Sequence, residues 1–308
     1  MSLDHTNRTT QEVRDEFSIE CQNNVESTSQ KGFHFLCSVD GSEISHLGFD
    51  LFLSLRKKYD YITIFHAFKQ NQSDLPEIFQ ANTIRQKYES ELGRHISSSQ
   101  SQLIWEARYD RSVVDVMNDC IRECNNRENP PNFIILGHIG RKLGKGNKEK
   151  EYFAPLSSNC DRVLRTIQLP CFIAKRQITS KRQGKEWAMA VDGTIYSNRG
   201  LDILLSLVRS RDIVHLFYIY NDTESEEHLN FMKIHYENDL QEYGPVTTSF
   251  SLIRQDLGKD LQHALTDYVN QLNPDIFVLS PRARSTLTLS PITDYVINNV
   301  VSSILVCK

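Results

Sequence analysis

Short apolar runs and amphipathic segments alternate along most of this chain. The run at 33–39 is nearly all apolar, which is typical of a parallel strand buried on both faces. In the segment that follows, Leu47, Leu51, Phe52 and Leu55 recur at the spacing of one helix face. Strands that alternate with helices predict right-handed β-α-β units and a parallel sheet.

The same pattern predicts the remaining elements. We expect strands at 33–39, 61–67, 102–109, 133–137, 171–174, 187–191, 213–219, 249–254, 276–279 and 304–307. We expect helices at 45–56, 78–92, 112–124, 157–166, 197–208, 226–243, 257–272 and 292–300.

The series of elements occurs twice. Val39-Asp40-Gly41-Ser42 ends the first apolar run, and Val191-Asp192-Gly193-Thr194 ends the run that opens the second series. We therefore predict two doubly wound α/β domains of five parallel strands each, at 32–178 and 186–308, with a linker at 179–185. Residues 1–31 are rich in Ser, Thr, Asn, Gln and Glu, which predicts a disordered polar tail.

Composition narrows the class of protein. At 308 residues, 39% hydrophobic and 24% charged, the chain is typical of a globular protein of about two domains. A net charge of −4 gives no reason to expect nucleic acid as a partner. No stretch approaches ~18 apolar residues and the N-terminus has no apolar core of a signal peptide, so we expect neither a membrane segment nor secretion.

Cysteine usage indicates a reducing compartment. The seven cysteines form no C-x-x-C pair and no zinc-ligand spacing, and their odd number argues against a complete disulfide framework. Cys37, Cys171 and Cys307 lie within apolar runs, where a reduced cysteine packs as a small hydrophobic residue. A cytoplasmic location is the expectation.

The stretch from 141 to 185 is strongly basic, with twelve Lys and Arg residues against three acids. A solvated loop, a helix face and a linker would account for it. The alternative is a surface that attracts an anion or an acidic protein partner, through the loop at 141–150 in particular. The polar N-terminal tail is a second segment that could engage a protein partner.

Open parallel sheets bind ligands beyond the carboxyl ends of their strands, where the strand order reverses. Asp40 follows the first strand, and Gly137 ends the fourth. A carboxylate there can accept hydrogen bonds from a ribose or an adenine. A glycine lets backbone N–H groups approach phosphate, and the start of the next helix favours the anion.

At these positions the chain resembles a tandem member of the universal stress protein family. The resemblance rests on Val39-Asp40-Gly41-Ser42, Gly137-His138-Ile139-Gly140-Arg141, Ser157-Ser158-Asn159 and Leu169-Pro170-Cys171, and covers nearly everything from 32 to 308 in two copies. It implies five-stranded, Rossmann-like (flavodoxin-like) domains that dimerise through their last strands. Here the two halves would therefore pack as an intramolecular pseudo-dimer.

The resemblance also implies a nucleotide site, since some members of the family bind ATP or AMP. In the first half it would consist of Asp40 and Gly41 beside the nucleoside, and of Gly137, Ile139, Gly140, Arg141, Ser157 and Ser158 around the phosphates. No motif calls for a metal. This chain departs from the family in a longer spacer after Gly140 and in Ser157, which replaces a glycine.

The second half departs further. Ser280-Pro281 replaces the first glycine motif, and Ser290-Pro291 replaces Gly-Ser. Because proline removes an N–H donor at the helix start, we expect no conventional nucleotide site there. Asp192 would then be a structural cap or a relic.

Catalysis has no support in the sequence, which offers neither a nucleophile–base pair nor a metal-ligand motif. Cys120 and Cys124 share a helix face. Simple packing accounts for them, and the alternative is a metal-binding or redox role. His66 and His215 are expected to be polar core or rim residues. Two main functions stay open: binding of an adenine nucleotide in the first half, and a non-enzymatic scaffold that has lost the ligand. ATP hydrolysis is a third, for which no residue stands out as positioning a water.

Overall fold

Ten strands and eight helices make up the part of the chain that this computed structural model describes, namely residues 32–70, 74–108, 110–125, 129–139, 155–178, 184–241, 246–281 and 289–308. The strands are β1 His34–Ser38, β2 Tyr61–Phe68, β3 Ser101–Ala107, β4 Phe133–Gly137, β5 Cys171–Ala174, β6 Glu186–Ala190, β7 Ile213–Tyr220, β8 Thr247–Arg254, β9 Ile276–Leu279 and β10 Ser303–Val306. The helices are α1 Glu43–Leu55, α2 Ala81–His95, α3 Val113–Asn125, α4 Ser158–Thr166, α5 Ile195–Leu207, α6 Glu226–Gln241, α7 Leu261–Leu272 and α8 Pro291–Asn299.

All ten strands belong to one sheet, in the order β3-β2-β1-β4-β5-β10-β9-β6-β7-β8. Every neighbouring pair is parallel except β5 and β10, which run antiparallel with Ile173 opposite Ile304 and Phe172 opposite Leu305. Each half therefore has the doubly wound order 3-2-1-4-5, which confirms the predicted α/β fold class. The last strands of the two halves join them into a continuous sheet.

Apolar side chains cover both faces of this sheet, as its nearly all-apolar strands require. One layer is formed by α1, α2, α5 and α6 over Phe35, Phe172, Trp187 and Leu305. The other layer is formed by α3, α4, α7 and α8 over Leu36, Ile173, Phe277 and Ile304. Both layers run through the β5–β10 junction without a break, so the two halves share one core on each face.

Local chemistry moves some helix ends from their predicted positions. Pro76 leads into a 3-10 turn at Glu77–Phe79, so α2 begins at Ala81 rather than at 78. Ser157 is the N-cap of α4 and not its first residue, because its side chain accepts from the Cys160 N–H. Within the described residues, no helix has the length and apolar character needed to cross a bilayer.

Candidate functional site

Asp40 organises a tight turn between β1 and α1. Its Oδ1 accepts from the Ser42 N–H at 3.0 Å and from the Ser42 hydroxyl at 2.6 Å. The Ser42 Oγ in turn accepts from the Ser45 N–H at 3.1 Å and caps the helix. Between them Gly41 has a φ of +86°, in the left-handed region that favours glycine. The acid thus sets the start of α1.

Gly137, at the end of β4, lies directly against that first turn. A Cβ at this position would be 2.9 Å from the Ile44 carbonyl oxygen and 3.0 Å from the Ser45 nitrogen. Both atoms belong to the backbone and cannot rotate away. Close packing of the helix on the strand is therefore sufficient reason for a glycine here, whereas its place beside a phosphate stays a prediction.

The start of α4 reaches the same part of the sheet. The Ser157 N–H donates to the His138 carbonyl at 2.9 Å, one residue beyond Gly137. Ser157 uses its hydroxyl as the cap, while Ser158 and Asn159 are exposed in the first turn. Ile139 is buried at 2% exposure, so a ligand outside the core could meet only its backbone. Gly140 and Arg141 lie outside the described residues.

Two helix N-termini thus converge at the end of β4. The adjacent strands β1 and β4 mark the point where the strand order of the first half reverses, which is where doubly wound sheets bind ligands. The free N–H groups of a helix start carry a partial positive charge that favours anions. The arrangement can therefore hold a negatively charged group.

His66 contacts the backbone next to the Asp40 turn from within the core. It is 1% exposed, and its Nδ1 lies 2.7 Å from the Val39 carbonyl oxygen, so Nδ1 carries the proton and donates. Its ring packs against Trp105 at 5.4 Å between centroids. His66 is a polar core residue, as expected. His215 differs, since its Nδ1 bonds the Ser249 hydroxyl at 2.9 Å in a more exposed place.

The second half builds the same turn with Asp192. Its Oδ1 accepts from the N–H and the hydroxyl of Thr194, and Gly193 has a φ of +72°. This agrees with the expectation that Asp192 is structural. It also shows that the aspartates alone do not distinguish the halves, because Asp40 makes the matching hydrogen bonds within its own turn.

A buried tyrosine, which no sequence motif indicated, distinguishes the two turns. The Tyr236 hydroxyl accepts from the Gly193 N–H at 3.2 Å and donates to Asn198 Oδ1 at 3.0 Å, and the Ser197 hydroxyl lies 3.2 Å away. Together these contacts latch the second turn to α6. The available signal was a tyrosine among the apolar positions of a long polar helix.

Tyr88 on α2 is the counterpart in the first half. It is fully buried, and its hydroxyl lies beside the Ser45 side chain without a well-formed hydrogen bond to the Gly41 turn. His46 replaces Asn198, and its ring centroid lies 5.8 Å from that of Tyr88. Burial raises the pKa of Tyr88 above its usual value, so the phenol stays neutral. The first turn is therefore not latched as the second one is.

In the second half, a residue with a side chain stands at the end of β9, where the first half has a glycine. Ser280 occupies the place of Gly137, and a Cβ on Gly200 would lie 1.7 Å from the Ser280 hydroxyl. Gly200 on α5 thus makes room for the larger residue. Ser290 caps α8 through the Thr293 N–H at 3.1 Å, and Pro291 follows as the first helical residue, without an N–H donor. Fewer backbone donors face an anion there.

The described cysteines pack in the core. Cys37, Cys120, Cys124, Cys160, Cys171 and Cys307 are all free and buried, whereas Cys21 lies outside the described residues. Burial raises the pKa of Cys120, Cys171 and Cys307 to about 12, so these thiols stay protonated. Among the residues that the structure describes, no group of three or more His, Cys, Asp or Glu is placed to hold a metal ion.

Comparison with known proteins gives no match in sequence but a clear one in fold. Neither a family sequence model nor a curated protein sequence matches the chain. A universal stress protein structure from Archaeoglobus fulgidus superimposes on 89% of this chain and 98% of its own, with a TM-score of 0.63 and 18% identity. This chain has the universal stress protein fold.

Other structures share the universal stress protein fold over both halves of the chain. A functionally unknown protein from Pseudomonas aeruginosa covers 93% of this chain and 94% of its own, with a TM-score of 0.57 and 12% identity. The cytoplasmic domain of a prokaryotic cation chloride cotransporter covers 90% and 95%, with a TM-score of 0.52 and 10% identity. At such identities the likeness establishes the fold alone.

Proposed function

We propose that the first half of this protein binds an adenine nucleotide, without catalysing a reaction on it. The phosphates would lie where the starts of α1 and α4 converge on Gly137, and the nucleoside beside the Asp40 turn. Of the residues that the sequence predicted for this site, Gly41, Ile139, Ser157 and Ser158 would contribute mainly through their backbone. Gly140 and Arg141 complete the proposed set.

The observation that carries this proposal is the convergence of the two helix N-termini. The first turn of α1 touches the end of β4 at Gly137, and α4 is hydrogen-bonded to it through Ser157 and His138. Both partial positive charges act on one small region, and polyphosphates are bound in this way in other doubly wound folds.

The contrast between the halves restricts the proposal to one site. Ser280 and Pro291 remove the open glycine and one N–H donor from the second half. Tyr236 holds the Gly193 amide, so a ligand would have to displace that hydrogen bond. In the first half the corresponding tyrosine makes no such contact.

Isothermal titration of the full chain with ATP, ADP and AMP tests the proposal. We expect a single site per chain. Asp40→Ala should weaken binding at least about tenfold, a loss typical of one charge-assisted hydrogen bond. Asp192→Ala removes the same turn hydrogen bonds from the second half, so it is the matched control for disturbed folding and should leave the affinity unchanged.

Two results would reject the proposal. One is the absence of heat with all three nucleotides. The other is an equal loss of affinity in Asp40→Ala and Asp192→Ala, which would place the effect in folding rather than in ligand contact.

The alternative is a non-enzymatic interaction module. Asp40 makes the same turn-forming bonds as Asp192, in a half where we expect no ligand. The same fold also serves as the cytoplasmic domain of a cotransporter, where it is one part of a larger protein. Protein recovered without nucleotide on denaturation, together with a flat titration, would favour this alternative.

A further inference from the structure

Exposed cations from both halves meet where the C-terminal ends of α1 and α5 come together over one face of the sheet. We call this set the axial basic surface; it consists of Lys57, Lys58, Arg209 and Arg211, all exposed. Lys57 and Arg209 occupy equivalent positions, each two residues beyond the end of its helix. The surface exists only in the folded chain, since its two parts are far apart in sequence.

Reciprocal hydrogen bonds hold the two parts together. Lys57 Nζ donates to the Ser206 carbonyl at 2.6 Å, in the last turn of α5. Arg209 Nη2 donates to the Leu55 carbonyl at 2.6 Å, at the end of α1, and also to the Arg56 carbonyl. Each half thus places one cation on the helix C-terminus of the other, where the helix dipole favours positive charge.

The acidic residues nearest in sequence, Asp60 and Asp212, lie buried beneath this surface and accept hydrogen bonds from backbone N–H groups. Asp60 is 4% exposed and accepts from the backbone N–H groups of Phe33 and Lys57. Asp212 is 2% exposed and accepts from the N–H groups of Lys185 and Arg209. These carboxylates order the two loops from inside, and the exposed charged residues of the two loops are cationic. Such a surface on a protein of net charge −4 favours an acidic partner.

Gly32, the first residue that the structure describes, lies at this surface. Gly32 packs on the Tyr59 peptide so closely that a Cβ would lie 2.0 Å from the Tyr59 oxygen. Tyr59 is 43% exposed and follows Lys57 and Lys58 directly. Residues 1–31 contain six Asp and Glu against three Lys and Arg, and the stretch 12–20 holds four of those acids around Phe17.

We propose that the axial basic surface binds the acidic stretch 12–20 of the same chain. The residues between 20 and 32 can span up to about 40 Å when extended, which is ample to cross between the loops of the two halves. The covalent tether gives the stretch an effective concentration in the millimolar range, so modest charge pairing suffices. The exposed Tyr59 ring offers an apolar contact for Phe17.

Cys21 allows a direct test on the full chain, because the six described cysteines are buried. A nitroxide attached to Cys21 should broaden the backbone amide resonances of 208–212 at low salt. Because 208–212 contact 55–57 directly, both loops will broaden to some extent through the tether alone, so the deciding quantity is the part of the broadening at 208–212 that depends on salt. At about 1 M salt the Debye length falls to about 3 Å, and that part should be lost.

Charge reversal separates binding from proximity. Lys58→Glu with Arg211→Glu should abolish the salt-dependent broadening at 208–212, and Asp15→Lys with Glu16→Lys should restore it in that background. Lys233→Glu, at an exposed position on α6, is the matched control and should change nothing.

The proposal is wrong if the wild-type chain shows no more broadening at 208–212 at low salt than at high salt. It is equally wrong if the salt-dependent broadening persists in Asp15→Lys with Glu16→Lys alone. That second variant alters only the tail, so it remains informative even if the surface variant fails to fold.

Discussion

The ammonium group of Lys175 donates to the carbonyl oxygen of Val300 at 2.6 Å, across the junction of the two halves. Val300 is the C-cap of α8. Lys308 holds the equivalent position after β10, and it donates to the carbonyl of Ile167, the C-cap of α4. Each half therefore ends its last strand with a lysine that caps the last helix of the other half.

The pH dependence of stability should reveal Lys175, which is fully buried. Burial lowers the pKa of Lys175 to about 7, against 10.5 in an unfolded chain. The unfolded state thus binds more protons between these values, so stability rises with pH there. The cost of burying the charge is fully present below pH 7 and is relieved above it.

The measurement is urea unfolding of wild type and Lys175→Met between pH 6 and 8. From pH 6 to pH 8 the free energy of unfolding of wild type should rise by about 1 kcal/mol more than that of Lys175→Met, because the variant lacks this titrating group. Taking the difference cancels the groups that titrate in both proteins. A difference that stays constant from pH 6 to 8 would show that Lys175 keeps an ordinary pKa.

The hydrogen bonds of the Tyr236 hydroxyl should contribute measurably to the free energy of unfolding, whereas the Tyr88 hydroxyl in the other half should not. Tyr236→Phe leaves the Gly193 N–H and the Asn198 side chain without their partner and should cost about 1–3 kcal/mol in the free energy of unfolding. Tyr88→Phe removes a buried hydroxyl that neighbours Ser45 and does not bind the Gly41 N–H, and should be close to neutral. Denaturant unfolding of both variants checks this. Equal costs would contradict the asymmetry.

Gly137→Ala should destabilise the protein by about 1–3 kcal/mol, because the added methyl group meets backbone atoms of Ile44 and Ser45 at 2.9–3.0 Å. Gly93→Ala on α2 is the control, since a Cβ there has nothing within 4 Å. That substitution should stabilise the helix by up to about 1 kcal/mol. Urea unfolding compares them, and a neutral Gly137→Ala would mean that α1 shifts freely.

Thiol titration should find at most one fast-reacting cysteine among the seven. The six described thiols are buried, and burial raises the pKa of Cys171 and Cys307 to about 12, which suppresses the reactive thiolate. An aromatic disulfide reagent applied to the native protein gives the count, and the same reagent in denaturant should report all seven. Two or more fast thiols in the native state would contradict this burial.

The sequence was sufficient for the fold class and for placing Asp40 at the end of the first strand, because apolar runs that must be buried and helix faces are local patterns. The hydrogen bonds by which Asp40 and Ser42 close the turn were not predicted. The departures from the glycine motifs at Ser280 and Pro291 were also visible in the sequence. The sequence did not show that Gly200 makes room for Ser280, because residues 80 positions apart have no periodic relation.

By itself, then, the sequence determined two doubly wound halves and a difference in their glycine motifs. The tertiary structure decided that Lys175 and Lys308 exchange helix caps, that Lys57 and Arg209 do the same on the other face, and that Tyr236 alone latches its turn. The lysine and arginine contacts join side chains to backbone groups of the other half, which come together only when β5 pairs with β10, whereas the Tyr236 contacts form within the second half. Their energies depend on burial and distance, which the order of residues does not record.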